Sequence, residues 1–290
     1  MAEKDIAEKN LEALNDVFAD IVNVLLFKGE QIIQENELEA DTTKSMFKAD
    51  GKIHEQERDI SKFCRNDEIR IAILGFENQT VQDYKMPLRV ISYDGASYKK
   101  QLLDEKLEKN FPVATLVLYF GTRYRWTAPK NLCACFEIPK ELKPFVSDYQ
   151  INVFEIAWLD DDTIEKFQSD FKIVAKYFQT KRLNEDYEGS KEKIKHVDET
   201  LKMLSVLTGD DSFEKVYNES NFSKKGGVTM CEVVDKIINK GRLEGRFEGK
   251  QEVIRNLIES NVGSLEQIAA WVKLPVEEVQ KIAEKVPVRG

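Results

Sequence analysis

The apolar run from Ile69 to Phe76 ends in Glu77-Asn78-Gln79, and 18 positions before Glu77 stands Asp59, in Glu-Arg-Asp-Ile. A short run rich in branched residues reads as a buried strand. A carboxylate at the end of such a strand needs a partner, because burying it alone is costly. Side chains alternate along a strand, so Glu77 and Gln79 share a face. The segment Arg65-Asn66-Asp67 allows a tight connection, and pairing of the two strands would set Asp59 opposite Glu77. Two carboxylates and an amide then form the oxygen cluster that a hard divalent cation takes, a cluster suited to Mg²⁺ and phosphodiester hydrolysis. Gln79 is placed to orient a water or meet a phosphate, without the positive charge of a lysine.

A third acid is expected from the first helix. Leu11, Leu14, Phe18, Ile21, Val22, Leu25 and Leu26 recur at three- and four-residue spacing within residues 3–36, interrupted near Gly29. On that helix Asp16 and Asp20 lie four residues apart and share a face, so either can support the cation through water. The chain has two histidines, His54 and His196, a poor supply for imidazole acid–base chemistry. Hydrolysis would therefore rest on carboxylates and metal.

The order of elements implies an α/β core. Residues 45–63 read as irregular chain or a hairpin around Asp50-Gly51. Leu88–Tyr93 reads as a strand or a helix start, Tyr98–Leu107 as helix, and Val113–Gly121 and Asn152–Trp158 as buried strands. Asp160-Asp161-Asp162 reads as a helix N-terminus. Beyond it, Phe167, Phe171, Val174 and Phe178 form the apolar stripe of a charged helical region. The expected organisation is a core over 1–160, a helical extension over 161–225 and a tail over 226–290.

In the tail, Gly241, Gly245 and Gly249 recur every fourth position within Gly-Arg-Leu-Glu-Gly-Arg-Phe-Glu-Gly-Lys. Each Gly weakens a helix by about 1 kcal/mol relative to Ala, so three on one face suggest close helix approach and a homodimer. A phosphate loop does not fit, because no strand precedes these glycines and no Lys-Ser/Thr follows. Ser264, as an N-cap with Glu266, and Pro275 frame two short helices. Their spacing resembles a helix-turn-helix, but without a basic recognition helix they read as a packing cap.

The formal net charge of −9 argues against a protein that coats nucleic acid. Charge is uneven, however: from Lys99 to Lys143 nine basic residues stand against five acidic ones, and that stretch is a candidate to face phosphates. Cys64, Cys133, Cys135 and Cys231 lack metal-ligand spacing and read as reduced thiols, with Cys133 and Cys135 on one face of a strand. There is neither a membrane-length apolar run nor a signal pattern at the start, so a cytoplasmic protein is expected.

Asn15-Asp16-Val17-Phe18, Glu57-Arg58-Asp59, Gly75-Phe76-Glu77-Asn78-Gln79-Thr80 and Pro87-Leu88-Arg89-Val90-Ile91-Ser92-Tyr93-Asp94 together resemble the nuclease domain of the Rpn family. These are recombination-promoting nucleases of the PD-(D/E)XK superfamily, often labelled transposases. The resemblance spans about residues 10–160. It implies a restriction-endonuclease-like mixed sheet flanked by helices, with an α-helical C-terminal extension, and DNA cleavage dependent on Mg²⁺ or Mn²⁺. By the same resemblance Asp59, Glu77 and Asp16 are metal ligands, with Asp20 an alternative to Asp16. Gln79 takes the superfamily lysine's place, and Arg89 and Tyr93 brace the site or meet phosphate. Two positions depart from the pattern: Arg58 stands where a proline is expected and Gln79 where a lysine is. The competing expectation is a catalytically degenerate nuclease fold that binds DNA or a protein partner.

Overall fold

The computed structural model describes residues 11–40, 44–49, 52–57, 60–64, 69–75, 82–219 and 227–284. The chain divides into two units, Met1–Val233 and Val234–Gly290. No described helix is long and apolar enough to cross a membrane.

The first unit begins with helix α1, Asn15–Phe27. It ends where Lys28 and Gly29 adopt left-handed conformations, at φ 58° and 97°, the interruption that the sequence places near Gly29. The buried Asn23 side chain accepts from the backbone N–H groups of Ile32 and Ile33 and donates to Ile33 O. That fastens the chain beyond the turn against the helix it has just left.

Strand β1, Leu38–Ala40, comes next, followed by the hairpin of β2, Lys44–Ala49, and β3, Lys52–Glu57, with Ala49 opposite Lys52. Strands β4, Ile60–Cys64, and β5, Ile69–Gly75, then pair antiparallel, Ile60 opposite Ile73. Helix α2, Met86–Leu103, crosses over to β6, Val113–Tyr119, which is parallel to β5, and β7, Asn152–Glu155, adds parallel to β6. The five-stranded order is β1-β4-β5-β6-β7. This is a restriction-endonuclease-like mixed sheet, antiparallel on one side and parallel on the other; each parallel step needs a long crossover, made by helix α2 between β5 and β6 and by residues 120–151 between β6 and β7.

Residues 88–93 and 98–103 are thus one continuous helix. Besides Pro87 in the first turn, its buried positions Met86, Val90, Tyr93, Asp94, Ser97 and Gln101 keep helical spacing, but Asp94, Ser97 and Gln101 are polar, which masks the pattern. Each has a partner: Asp94 accepts from Thr115 Oγ1 and Tyr149 OH, and Gln101 bonds both backbone groups of Phe111. Cys133–Cys135 is a short 3₁₀ turn, not a strand. Asp148 accepts from Cys133 N, and Asn131 accepts from Ala134 N, bonds that hold a turn. The cysteines are free thiols. Likewise the chain leaves β7 after Glu155 in a 3₁₀ turn, Ile156–Trp158.

Leu116, Val117 and Leu118 of β6 are fully buried, each contributing about 1.5–3 kcal/mol by leaving water. Helix α3, Asp161–Ile164, starts at Asp160, whose carboxylate accepts from Thr163 N at 2.7 Å. Helix α4, Phe171–Leu183, presents Phe171 and Phe178 to Phe120, with ring centroids 6.4 and 5.2 Å away. Helices α5, Val197–Thr208, and α6, Ser212–Glu219, complete the extension.

The second unit holds most of helix α7, Met230–Glu259, then α8, Leu265–Val272, and α9, Val276–Ala283. Ile254, Ile268, Ala269, Val272, Val279 and Ile282 form its buried core, so the two short helices pack on the end of α7. Ser264 is the N-cap of α8, and its capping-box partner is Gln267, at the N3 position where a side chain reaches back.

Candidate functional site

The sheet gathers one edge. Since β4 runs against β5, the start of β4 at Ile60 lies toward the end of β5, and the parallel registers pair Gly75 with Leu118 and Tyr119 with Glu155. The start of β4 and the ends of β5, β6 and β7 therefore share a side of the sheet. Asp59, Glu77 and Gln79 lie outside the described residues; in the chain, Asp59 directly precedes Ile60 and Glu77 follows Gly75 by two positions. Among the described residues, no group of three or more His, Cys, Asp or Glu side chains could hold a metal ion.

Asp16 stands in the first turn of α1. Its Oδ2 accepts from Lys195 Nζ at 2.7 Å and lies 2.8 Å from His196 Nε2. Burial pushes this carboxyl up, but the hydrogen bonds and charges of Lys195 and His196 outweigh it and hold the carboxyl below its ordinary range. Asp20, one turn on and buried, accepts from the backbone N–H groups of Gln168 and Ser169 at 2.9 and 2.7 Å. Both acids share a helix face, as their spacing predicts, and their partners lie between residues 168 and 196. They line a cleft of about 630 Å³ together with Asp170, Tyr187 and Lys195.

Toward the sheet, α1 meets Lys62 of β4. This buried ammonium donates to Ala13 O at 2.6 Å and to Asn15 Oδ1, and lies 5.6 Å from the Phe18 ring centroid. Burial lowers its pKa. Lys62 sits two residues from Ile60 and so on the same strand face, a signal that one lysine in an apolar strand does not carry by itself.

Arg89 and Tyr93 are brought together on α2. Arg89 Nη1 pairs with Asp83 at 3.1 Å and its side chain also bonds Tyr93; burial opposes the charge, yet these two partners raise the guanidinium's pKa. Tyr93 is buried among Met86, Val90, Val117 and Trp126.

Gln82 organises the loop after β6. Its Oε1 accepts from the backbone N–H groups of Thr127 and Ala128 at 2.6 and 2.8 Å, and its Nε2 donates to Arg125 O at 2.7 Å. Glu155 Oε1 accepts from Trp126 N, and Glu155 Oε2 pairs with Arg125 at 3.5 Å. Trp158 donates from Nε1 to Gly121 O at 3.0 Å, and the guanidinium carbons of Arg125 and Arg182 each lie 4.7 Å from its ring centroid. Gly121 is required there, because a Cβ would lie 2.0 Å from the Tyr119 hydroxyl. The basic excess of residues 99–143 marks Arg125 in the sequence. Trp158 and Arg182 carry no such mark, being joined to it only by the fold.

Residues 68–205 match the family model described as "Putative transposase, YhgA-like". The match includes Glu77, Gln79, Arg89, Tyr93, Arg125, Trp158 and Arg182, and begins after Asp16 and Asp59. No curated protein and no solved structure matches the chain.

Proposed function

Residues 68–205 belong to the YhgA-like transposase family of the PD-(D/E)XK nuclease superfamily, and from this premise we propose that the protein is a metal-dependent DNA endonuclease serving recombination or mobile DNA. The observation that carries the reading is the antiparallel register of β4 and β5, Ile60 opposite Ile73. It supports a site in which Asp59, entering β4, and Glu77, leaving β5, converge. Carboxylate oxygens are the donors that a hard cation prefers. Mg²⁺ or Mn²⁺, when bound, supplies Lewis acidity toward the phosphodiester and its attacking water.

In this reading Asp59 and Glu77 are the metal ligands and Gln79 orients the attacking water from the lysine position. Asp16 is the helix-borne acid, its charge shared with Lys195 and His196. Arg89, held by Asp83 and Tyr93 in the first turn of the helix that follows the motif, braces the site or meets phosphate together with Tyr93. The partners are duplex DNA and a second copy of the chain, joined through α7.

One feature favours a second reading, a degenerate nuclease fold that binds DNA without cutting it: Gln79 lacks the charge a lysine would bring to the scissile phosphate. Incubating purified protein with supercoiled plasmid, with and without Mg²⁺ or Mn²⁺ and beside Glu77→Ala, separates the two. Metal-dependent nicking that the variant lacks is expected. Intact plasmid in every lane alongside salt-sensitive DNA binding would select the second reading.

A further inference from the structure

We propose that Arg125 and Arg182, stacked on Trp158, form a clamp for the DNA phosphate backbone at the edge where β5, β6 and β7 end; the proposal rests on the nuclease reading and adds the element that holds its substrate. Both guanidinium carbons lie 4.7 Å from the one indole centroid. A guanidinium packed on an aromatic ring spends its face on the ring and keeps its N–H edges for an anion.

The assembly is fixed before any ligand arrives. Trp158 is pinned by its bond to Gly121 O, Arg182 by Nε donating to Ala157 O at 2.7 Å, and the Arg125 backbone by Gln82. Such fixed donors lose little entropy when a phosphate binds.

Local charge points the same way. Glu155 pairs with Arg125 at 3.5 Å, giving one carboxylate against two guanidiniums. Of the three acids that follow in the chain, two are committed elsewhere: Asp160 caps Thr163, and Asp161 accepts from Lys176 and Gln179. Arg123 and Tyr124, beside Arg125, are exposed. In a chain of net charge −9, a rigid positive patch at the edge gathering the candidate catalytic strands is where a polyanion would seat.

The test measures binding of a short labelled DNA duplex across a salt series, in the full chain carrying Glu77→Ala so that no cutting intervenes. Arg125→Gln, at a side chain 62% exposed, should leave the fold intact and reduce the slope of log K against log salt by about 1. Arg182→Gln should do the same, and Arg182→Lys should keep the slope by keeping the charge. Unchanged affinity and slope in the Arg125→Gln, Arg182→Gln double variant, with metal-dependent nicking intact in the parent chain, would overturn the clamp alone. Absence of DNA binding by the Glu77→Ala protein would overturn it together with the nuclease reading. Tighter binding of an RNA duplex of the same sequence would overturn DNA as its ligand.

Discussion

Asp16 Oδ2 and Lys195 Nζ, 179 positions apart in the chain, lie 2.7 Å from each other. With His196 Nε2 at 2.8 Å, the contact ties the first helix to the segment preceding α5. Folding lowers the Asp16 carboxyl below its ordinary value of 3.8, so the unfolded chain holds that proton more tightly. The contribution to stability is complete above pH 3.8 and drains away as pH falls through the lower folded value. Asp16→Asn should therefore cost about 1 kcal/mol near neutral pH, since Lys195 is solvent-exposed and screened. Urea unfolding against pH should show the two proteins converging in acid. A constant gap across that range would refute the linkage.

Gln82 joins the segment after the candidate catalytic strand to the loop that carries Arg125. Gln82→Ala removes one acceptor from two backbone N–H groups and one donor from a carbonyl. We expect a loss of about 1–3 kcal/mol together with weaker DNA binding, because the loop no longer holds Arg125 in place. Gln82→Glu keeps the acceptor but sets an oxygen against Arg125 O, and should recover only part of the stability. If Gln82→Ala is as stable as the parent in urea, the loop is held by other contacts.

How far the sequence disclosed this arrangement depends on whether each signal was local. The buried strand β6, the aspartate cap at Asp160 and the Phe171–Phe178 stripe are contiguous patterns, and they are legible without coordinates. Helix α2 was harder, because its inward Asp94, Ser97 and Gln101 interrupt the apolar period; Ser97 is satisfied by Tyr93 O one turn back, but Asp94 and Gln101 are tolerated through Thr115, Tyr149 and Phe111. The Cys133–Cys135 turn depends on Asp148, 15 residues from Cys133, which no strand pattern registers. At the candidate site, Asp16 and Asp20 were legible as a helix-face pair, whereas Arg89 and Tyr93 were marked only by the family resemblance. The Asp16 partners Lys195 and His196, and the grouping of Arg125 with Trp158 and Arg182, come from chain segments far apart and have no periodic signature.

The glycines of α7 separate a stability effect from an association effect. A Cβ built on Gly241, Gly245 or Gly249 meets nothing within 4 Å beyond the helix's own nearby backbone, so no close approach among the described residues explains them. Each Gly→Ala change should raise helix stability by about 0.8–1 kcal/mol. If a second copy packs on this face, the triple Ala variant should show weaker self-association in analytical ultracentrifugation despite its higher melting temperature. Greater stability with unchanged association would leave the glycines without a role in a homodimer.

The sharpest expectations concern the edge of the sheet itself. Under the nuclease reading, Asp59→Ala or Glu77→Ala removes a carboxylate from the cation and should lower plasmid nicking by about 10²-fold or more, with urea unfolding essentially unchanged. Gln79→Lys restores the charge that the superfamily pattern carries at this position. A lysine beside the scissile phosphate stabilises the negative charge that builds there, so nicking by this variant should rise by roughly tenfold. Full nicking by either carboxylate variant would remove the site assignment. A Gln79→Lys protein slower than the parent would show instead that the amide itself positions the attacking water, a role that a longer, cationic side chain disrupts.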